Sequence, residues 1–124
     1  MRAVFDTNIL IDHLGGHPQA AQSWASYPER LISRITFLEV LVGADTPEEE
    51  ADARALLNSF QIVELGATLS EEVLHVRKTY PKKLKLPDAI IYATARSESC
   101  PLITRNSKDF PANTGDVIEP YVLP

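Results

Sequence analysis

Short apolar runs alternate with segments whose apolar residues recur every three to four positions, and this alternation continues along the whole chain. Ala3 to Phe5 is a β-type run that stops at Asp6-Thr7, two good helix N-caps, after which Ile9, Leu10 and Leu14 follow at helical spacing. Gly15-Gly16 breaks that helix. Pro18 to Tyr27 predicts a second helix with Ala20, Ala21, Trp24 and Ala25 on its inner face, stopped by Pro28. Leu31 to Ser33 is the next strand. Ile35 to Val42 is apolar except for Thr36 and Glu39 and ends near Gly43, which predicts a buried helix. Pro47-Glu48-Glu49-Glu50 opens another helix with an acidic first turn that suits the helix dipole, leading to Ala53, Leu56, Leu57 and Phe60.

Gln61 to Leu65 alternates in the strand manner and closes at Gly66. Thr68 to Tyr80 carries Leu69, Val73, Val76 and Tyr80 as a helical stripe, and Pro81 stops it. After the Lys-rich link Lys82 to Lys85, Pro87 sits where a helix begins, and Ile90 to Ala95 carries that helix on toward Ser99. Leu102 to Thr104 and Val117 to Glu119 complete five strands. Strands separated by helices, with no two-residue hairpin, predict right-handed crossovers and a central parallel sheet flanked by helices, an α/β class fold.

The 124 residues fit one domain, 1–124, and 44% hydrophobic residues are ordinary for a packed core. A net charge of −5 argues against coating nucleic acid by bulk charge, although local basic patches remain open. The single Cys100 excludes an internal disulfide framework and multi-cysteine zinc patterns. His13, His17 and His75 lack ligand spacing. With neither a membrane-length apolar run nor a signal-peptide pattern, the expected location is the cytoplasm, with no membrane partner.

In an open parallel sheet, ligands sit beyond the carboxyl ends of the strands. Asp6 follows the first strand, Glu39 lies in the helix after the second, Asp88 opens the helix before the fourth, and Asn106 and Asp109 follow the fourth. Glu39 has apolar neighbours that predict partial burial. Carboxylates gathered at one edge repel, and burying one unpaired is costly, so such a cluster requires protons or a cation. A hard, oxygen-ligating cation, Mg²⁺ or Mn²⁺, fits best.

Four segments, Phe5-Asp6-Thr7-Asn8-Ile9-Leu10-Ile11-Asp12, Ser33 to Gly43, Leu86 to Ala93 and Leu102 to Phe110, resemble in order and spacing the PIN-domain ribonucleases, especially the VapC-type toxins of toxin–antitoxin pairs. The resemblance runs nearly end to end. It implies a single Rossmann-like PIN domain and a Mg²⁺-dependent endoribonuclease acting on a structured RNA of the transfer or ribosomal class. It also implies a cognate antitoxin and a homodimer. Asp6 and Asp88 are then the principal metal ligands, and Glu39 is a ligand through water or the group that deprotonates the nucleophile. Thr7, Asn8 and Thr104 support them. Where many relatives carry a fourth acid two residues after the Thr104 position, this chain has Asn106. Asp109 can supply that charge through water, so the number of acids, three or four, stays open here.

Arg77, Lys78, Lys82, Lys83 and Lys85 place five basic residues in nine positions, either a solvated face or a phosphate-binding run. Arg105 and Lys108 lie nearer the acids and are candidates for holding the RNA strand. Asp12 reads as a solvent-facing helical acid, and Trp24 as core or dimer surface. Two rivals stand beside the nuclease. A receiver-type phosphoacceptor domain needs an Asp ending its central strand, which Gln61-Ile62-Val63-Glu64-Leu65-Gly66 does not offer, and a PIN-like module without catalysis draws its support from Asn106.

Overall fold

The strands Arg2–Phe5 (β1), Glu29–Ser33 (β2), Gln61–Val63 (β3), Leu102–Ile103 (β4) and Val117–Ile118 (β5) pair in the order β3-β2-β1-β4-β5 in a computed structural model that describes residues 1–80, 84–110 and 115–124. Every pairing among them is parallel. The chain crosses from β1 outward to β2 and β3, then returns to place β4 and β5 on the other side of β1. The order therefore reverses at β1, and the crevice of such a sheet opens beyond the carboxyl ends of β1 and β4. A receiver-type sheet has the order 2-1-3-4-5, so this topology removes that rival.

Among the described residues, six helices cover the sheet: Thr7–Leu14 (α1), Pro18–Trp24 (α2), Arg34–Val42 (α3), Pro47–Leu57 (α4), Ala67–Thr79 (α5) and Leu86–Ser97 (α6). The period-two alternation of the strands divides the core. Val4, Leu31 and Leu102 point to one face, where Val73 and Val76 of α5 and the buried run Ala89 to Ala93 of α6 meet them. Ala3, Phe5, Ile32 and Ile103 point to the other, against Ile9, Leu10, Trp24, Val40 and Leu57. Phe5 is the centre of an edge-on aromatic cluster, with ring centroids 6.3 Å from Trp24, 5.7 Å from Tyr27 and 5.8 Å from Phe60. Trp24 is thus a core residue.

Several boundaries differ from the sequence pattern. α2 stops at Trp24 and leaves Ala25 exposed, because Pro28 disfavours helical geometry in the residue before it and the Tyr27 N–H closes a turn on the Trp24 carbonyl. β2 begins at Glu29, earlier than its apolar run, since backbone pairing with Arg2 and Ala3 needs no apolar side chain. β3 ends at Val63, where its partner β2 ends, so Glu64 and Leu65 are exposed. α6 stops at Ser97, before the left-handed Ser99 (φ 54°).

The largest departure concerns α3, which the sequence predicts to be buried. Only Thr36 and Val40 are, whereas Leu38 is 49% and Val42 81% exposed. A helix at the rim of a sheet meets its neighbours along one stripe, so apolar residues elsewhere on its circumference face solvent. Beside it, α1 leaves Ile11 and Leu14 exposed. Ile11 and Leu14 border a groove of about 270 Å³ between α1, α3 and α4, floored by Val40, Ala44 and Ala53 and edged by Glu49 and Asp52.

Phe5→Ala should cost about 3–5 kcal/mol, since truncation removes the ring on which Trp24, Tyr27 and Phe60 close. Urea titration followed by Trp24 fluorescence measures it; an unchanged midpoint would place the centre of this core elsewhere.

Candidate active site

Phe5 and Ile103 are paired in register across β1 and β4, so Asp6 and Thr104 are the next residues out, side by side at the mouth of the crevice. The Asp6 N–H continues the ladder to the Ile103 carbonyl (2.9 Å). Asp6 leaves the strand as the N-cap of α1, one carboxylate oxygen accepting the Thr7 N–H at 2.7 Å. Its other oxygen, Oδ2, accepts the Thr104 hydroxyl at 2.7 Å and the Asn8 side-chain amide at 3.3 Å. Thr104 Oγ1 accepts in turn from Asn8 Nδ2 (3.2 Å) and the Asn106 N–H (3.1 Å). Thr7, Asn8 and Thr104 thus all hydrogen-bond the Asp6 carboxylate.

Glu39 comes from α3 and is half-buried. The Thr7 hydroxyl donates to Glu39 Oε1 at 2.7 Å and lies 3.0 Å from the hydroxyl of Thr36. Thr36 is fully buried; the sequence marks it only as a polar break in an apolar run and assigns it no part in the site. Its spacing of three from Glu39 puts both on one helical face, a signal present in the sequence but hidden by the apolar run around it.

The electrostatics tie the acids together. Burial pushes the Asp6 carboxyl up to about 6, against the lowering hydrogen bonds from Thr104 and Thr7, with the charges of Asp88 and Glu39 adding to the rise. Half-burial also raises Asp88, as do Asp109 and Glu39, while Lys85 acts in the opposite direction. Asp6 thus lies within reach of the charges of Asp88 and Glu39, and Asp88 within reach of those of Asp109, Glu39 and Lys85. Asn106 is exposed and presents its backbone N–H to Thr104. Lys108 is exposed on the 3₁₀ turn Ser107–Asp109, and Lys82 and Lys83 lie outside the described residues.

Two residues differ from their expected settings. Asp12 is not solvent-facing: it is 5% exposed and accepts a two-pronged ion pair from Arg105 (2.7 and 3.0 Å) and the Tyr121 hydroxyl (2.8 Å). Arg105 accordingly turns its guanidinium to Asp12 on α1. Burial raises the Asp12 carboxyl, but the bonds from Arg105 and Tyr121 outweigh it and hold the group below its ordinary value. Two buried acids on the same helix thus behave oppositely. Asp12 is paired with a cation, while the groups that bond Asp6 are neutral.

Among the described residues, no three His, Cys, Asp or Glu side chains form a ready-made metal cage. The donor set still suits a hard cation. It is all oxygen, its buried member is raised by neighbouring negative charge, and Mg²⁺ is commonly held by one or two carboxylates with water completing the shell.

Fold and site together define a parallel α/β domain with a carboxylate cleft at its topological switch point. The sequence profile of the PIN domain matches residues 3–114, and the chain belongs to the PIN domain family. It is 43% identical to a chain of a toxin–antitoxin complex from Klebsiella pneumoniae, over 98% of this chain and 99% of that one, with a TM-score of 0.88. It is 27% identical over 120 residues to a curated Ribonuclease VapC of Rickettsia bellii, covering 89% of each. FitAcB from Neisseria gonorrhoeae, 22% identical over 98% of this chain and 99% of that one, shares the fold with a TM-score of 0.78.

Because burial and then the charges of Asp109 and Glu39 raise Asp88, the fold favours its neutral form; that contribution is complete below the unfolded carboxylate range and is lost as pH rises through the folded titration. Asp88→Asn should therefore stabilise the metal-free protein near pH 7.5, by on the order of 1 kcal/mol once solvent screening is allowed for, and the gain should vanish near pH 3.5. Thermal melts in EDTA at both pH values test this. A destabilised variant at pH 7.5 would mean that the acids do not repel across a shared cleft.

Proposed function

We propose that this chain is the toxin of a toxin–antitoxin pair and acts as a metal-dependent endoribonuclease on a structured RNA of the transfer or ribosomal class. The observation that carries the reading is Asp6, a buried carboxylate held by neutral donors at the switch point and raised to about 6, with Asp88 and Glu39 adding negative charge around it and Asp109 acting in turn on Asp88. Likeness to the Rickettsia Ribonuclease VapC supports the nuclease, and likeness to a chain of the Klebsiella toxin–antitoxin complex supports the toxin.

Asp6 and Asp88 would hold Mg²⁺ or Mn²⁺, with Glu39 and Asp109 reached through water. Bound there, the ion would activate a water and offset charge growing on the leaving oxygen. The chain's own residues do the positioning. Thr104 and the Thr7 N–H fix both oxygens of Asp6, so its carboxylate cannot swing away from the cleft. The Thr7 hydroxyl orients Glu39, leaving its second oxygen to accept a proton from the attacking water. Lys85, beside Asp88, and Lys108, in the turn with Asp109, would contact an RNA phosphate next to the acids.

The antitoxin fits the groove between α1, α3 and α4. Its exposed Ile11 and Leu14, above the apolar floor of Val40, Ala44 and Ala53, give an apolar surface of the kind that marks a protein interface. A homodimer and a cytoplasmic location belong to the same reading; among the described residues, no helix is long and apolar enough to cross a membrane.

Purified protein should cut structured RNA with Mg²⁺ and fail in EDTA. Asp6→Ala and Asp88→Ala should each lower the rate by at least about 10²-fold while circular dichroism stays native, and each should relieve the growth arrest caused by the unmodified chain. Folded, Mg²⁺-supplied protein that leaves RNA intact would return the chain to the reading of a binding module.

Replacing Lys82, Lys83 and Lys85 together with Ala should weaken RNA binding across sequences and reduce the slope of log K against log salt by up to about 0.7–0.9 for each phosphate that the variant no longer neutralises. An unchanged slope, measured by fluorescence anisotropy at several salt concentrations, assigns the run to a solvated face.

A further inference from the structure

The Asp12–Arg105–Tyr121 network has no part in the acid cluster, yet it is built with more care than a surface ion pair. Asp12 is 6% exposed at its side chain, and both of its oxygens are engaged: Oδ1 accepts from one guanidinium arm, and Oδ2 from the other arm and from the Tyr121 hydroxyl. A lone buried carboxylate is costly, and a forked guanidinium is the partner that satisfies both oxygens at once.

What the network holds is the exit of β4. Arg105 lies between Thr104, whose hydroxyl binds Asp6, and Asn106, whose N–H binds Thr104 Oγ1. Asn8 and Asp12 are four apart on α1 and share a face, and both grip this segment: Asn8 Oδ1 accepts the Arg105 N–H at 3.1 Å, and Asp12 takes the side chain. The far side is held by the end of the chain. Glu119 accepts the Ser107 hydroxyl at 2.8 Å, and Tyr121 reaches across to Asp12. The segment from Thr104 to Asp109 therefore sits between α1 and the C-terminal strand exit, clamped from both.

We infer that Asp12 is a positioning residue: through the fork of Arg105, completed by Tyr121, it fixes the Thr104–Asp109 segment so that the Thr104 hydroxyl and the Asp109 carboxylate are presented to the acid cleft. Arg105 on this account serves the site from behind and does not carry RNA. The kinetic consequence rests on the ribonuclease reading; the ordering of the segment does not.

The experiment compares Asp12→Asn, Arg105→Lys, Tyr121→Phe and the double variant Asp12→Asn/Arg105→Lys with the unmodified protein in two readouts. Hydrogen exchange should speed up by about tenfold or more at the Arg105 and Asn106 amides in Asp12→Asn and Arg105→Lys, and by less in Tyr121→Phe, with the amides of α6 unchanged. On RNA with saturating Mg²⁺, kcat should fall about tenfold or more with KM within about twofold, as expected when reacting groups are misplaced but binding is intact. The double variant should be no worse than the poorer single one, because Lys keeps the charge but cannot make the fork.

Exchange that stays local-native in all variants overturns the inference, as does exchange that rises equally in α6, which would make the network a general stabiliser. Arg105→Lys or Asp12→Asn changing KM with kcat intact overturns it in favour of a phosphate contact. An unmodified protein that cleaves no RNA removes the ribonuclease reading, and the exchange comparison then decides the positioning role by itself. Should Asp12→Asn not fold, Tyr121→Phe, which loses one hydroxyl, carries the same comparison at smaller amplitude.

Discussion

The hydrogen bond from Thr104 Oγ1 to Asp6 Oδ2 spans 98 positions of sequence and joins the ends of the two strands between which the sheet changes direction. Much of the cleft is arranged around it. The bond requires β1 and β4 to be neighbours in one register, and that register follows from the crossovers placing β2 and β3 on one side and β4 and β5 on the other. A carboxylate buried at that point would ordinarily destabilise the fold. Among the described residues, three neutral donors partly compensate Asp6, and they leave its charge unmatched. That residual charge distinguishes a site built to receive something from a solved structural problem.

The comparison with Asp12 makes the distinction concrete. Both acids are 5% exposed, Asp6 as the N-cap of α1 and Asp12 within it, so burial does not tell them apart. Their partners do. Arg105 and Tyr121 hold Asp12 ionised and quiet, whereas Asp6 is raised and has Asp88 and Glu39 as charged neighbours. The start of one helix and its body thus carry one acid without a cationic partner and one paired with a cation. The loop between Thr104 and Asp109 is bound to both.

Function shows in the surface as well. A helix as apolar as α3 would be wasted at the rim of an isolated domain, yet its Leu38 and Val42 face solvent, and Ile11 and Leu14 of α1 are exposed at the groove that Val40 floors. The acids and this groove share α1 and α3, since Glu39 lies one residue from Val40. A protein seated on the groove would therefore lie close to the acids. The exposed surface and the site are two sides of the same pair of helices.

Local pattern is enough to place the five described strands and six described helices, the parallel α/β class and the three acids at the carboxyl edge, because side-chain periodicity and N-cap chemistry act over a few residues. Where the sequence misleads, the deciding interaction is remote. β2 begins early and β3 ends early because backbone pairing with a neighbour sets those ends, which hydropathy does not record. The apolar run of α3 predicts burial because composition cannot say how many neighbours a helix will have. Asp12 looks solvated in the sequence because its partners, Arg105 and Tyr121, are 93 and 109 positions away. The sequence by itself determined which residues could make the site and on which elements they would ride. Only the tertiary structure decided which buried carboxylate would meet a cation and which would be left charged among neutral donors, since that depends on contacts between segments that are far apart in the chain.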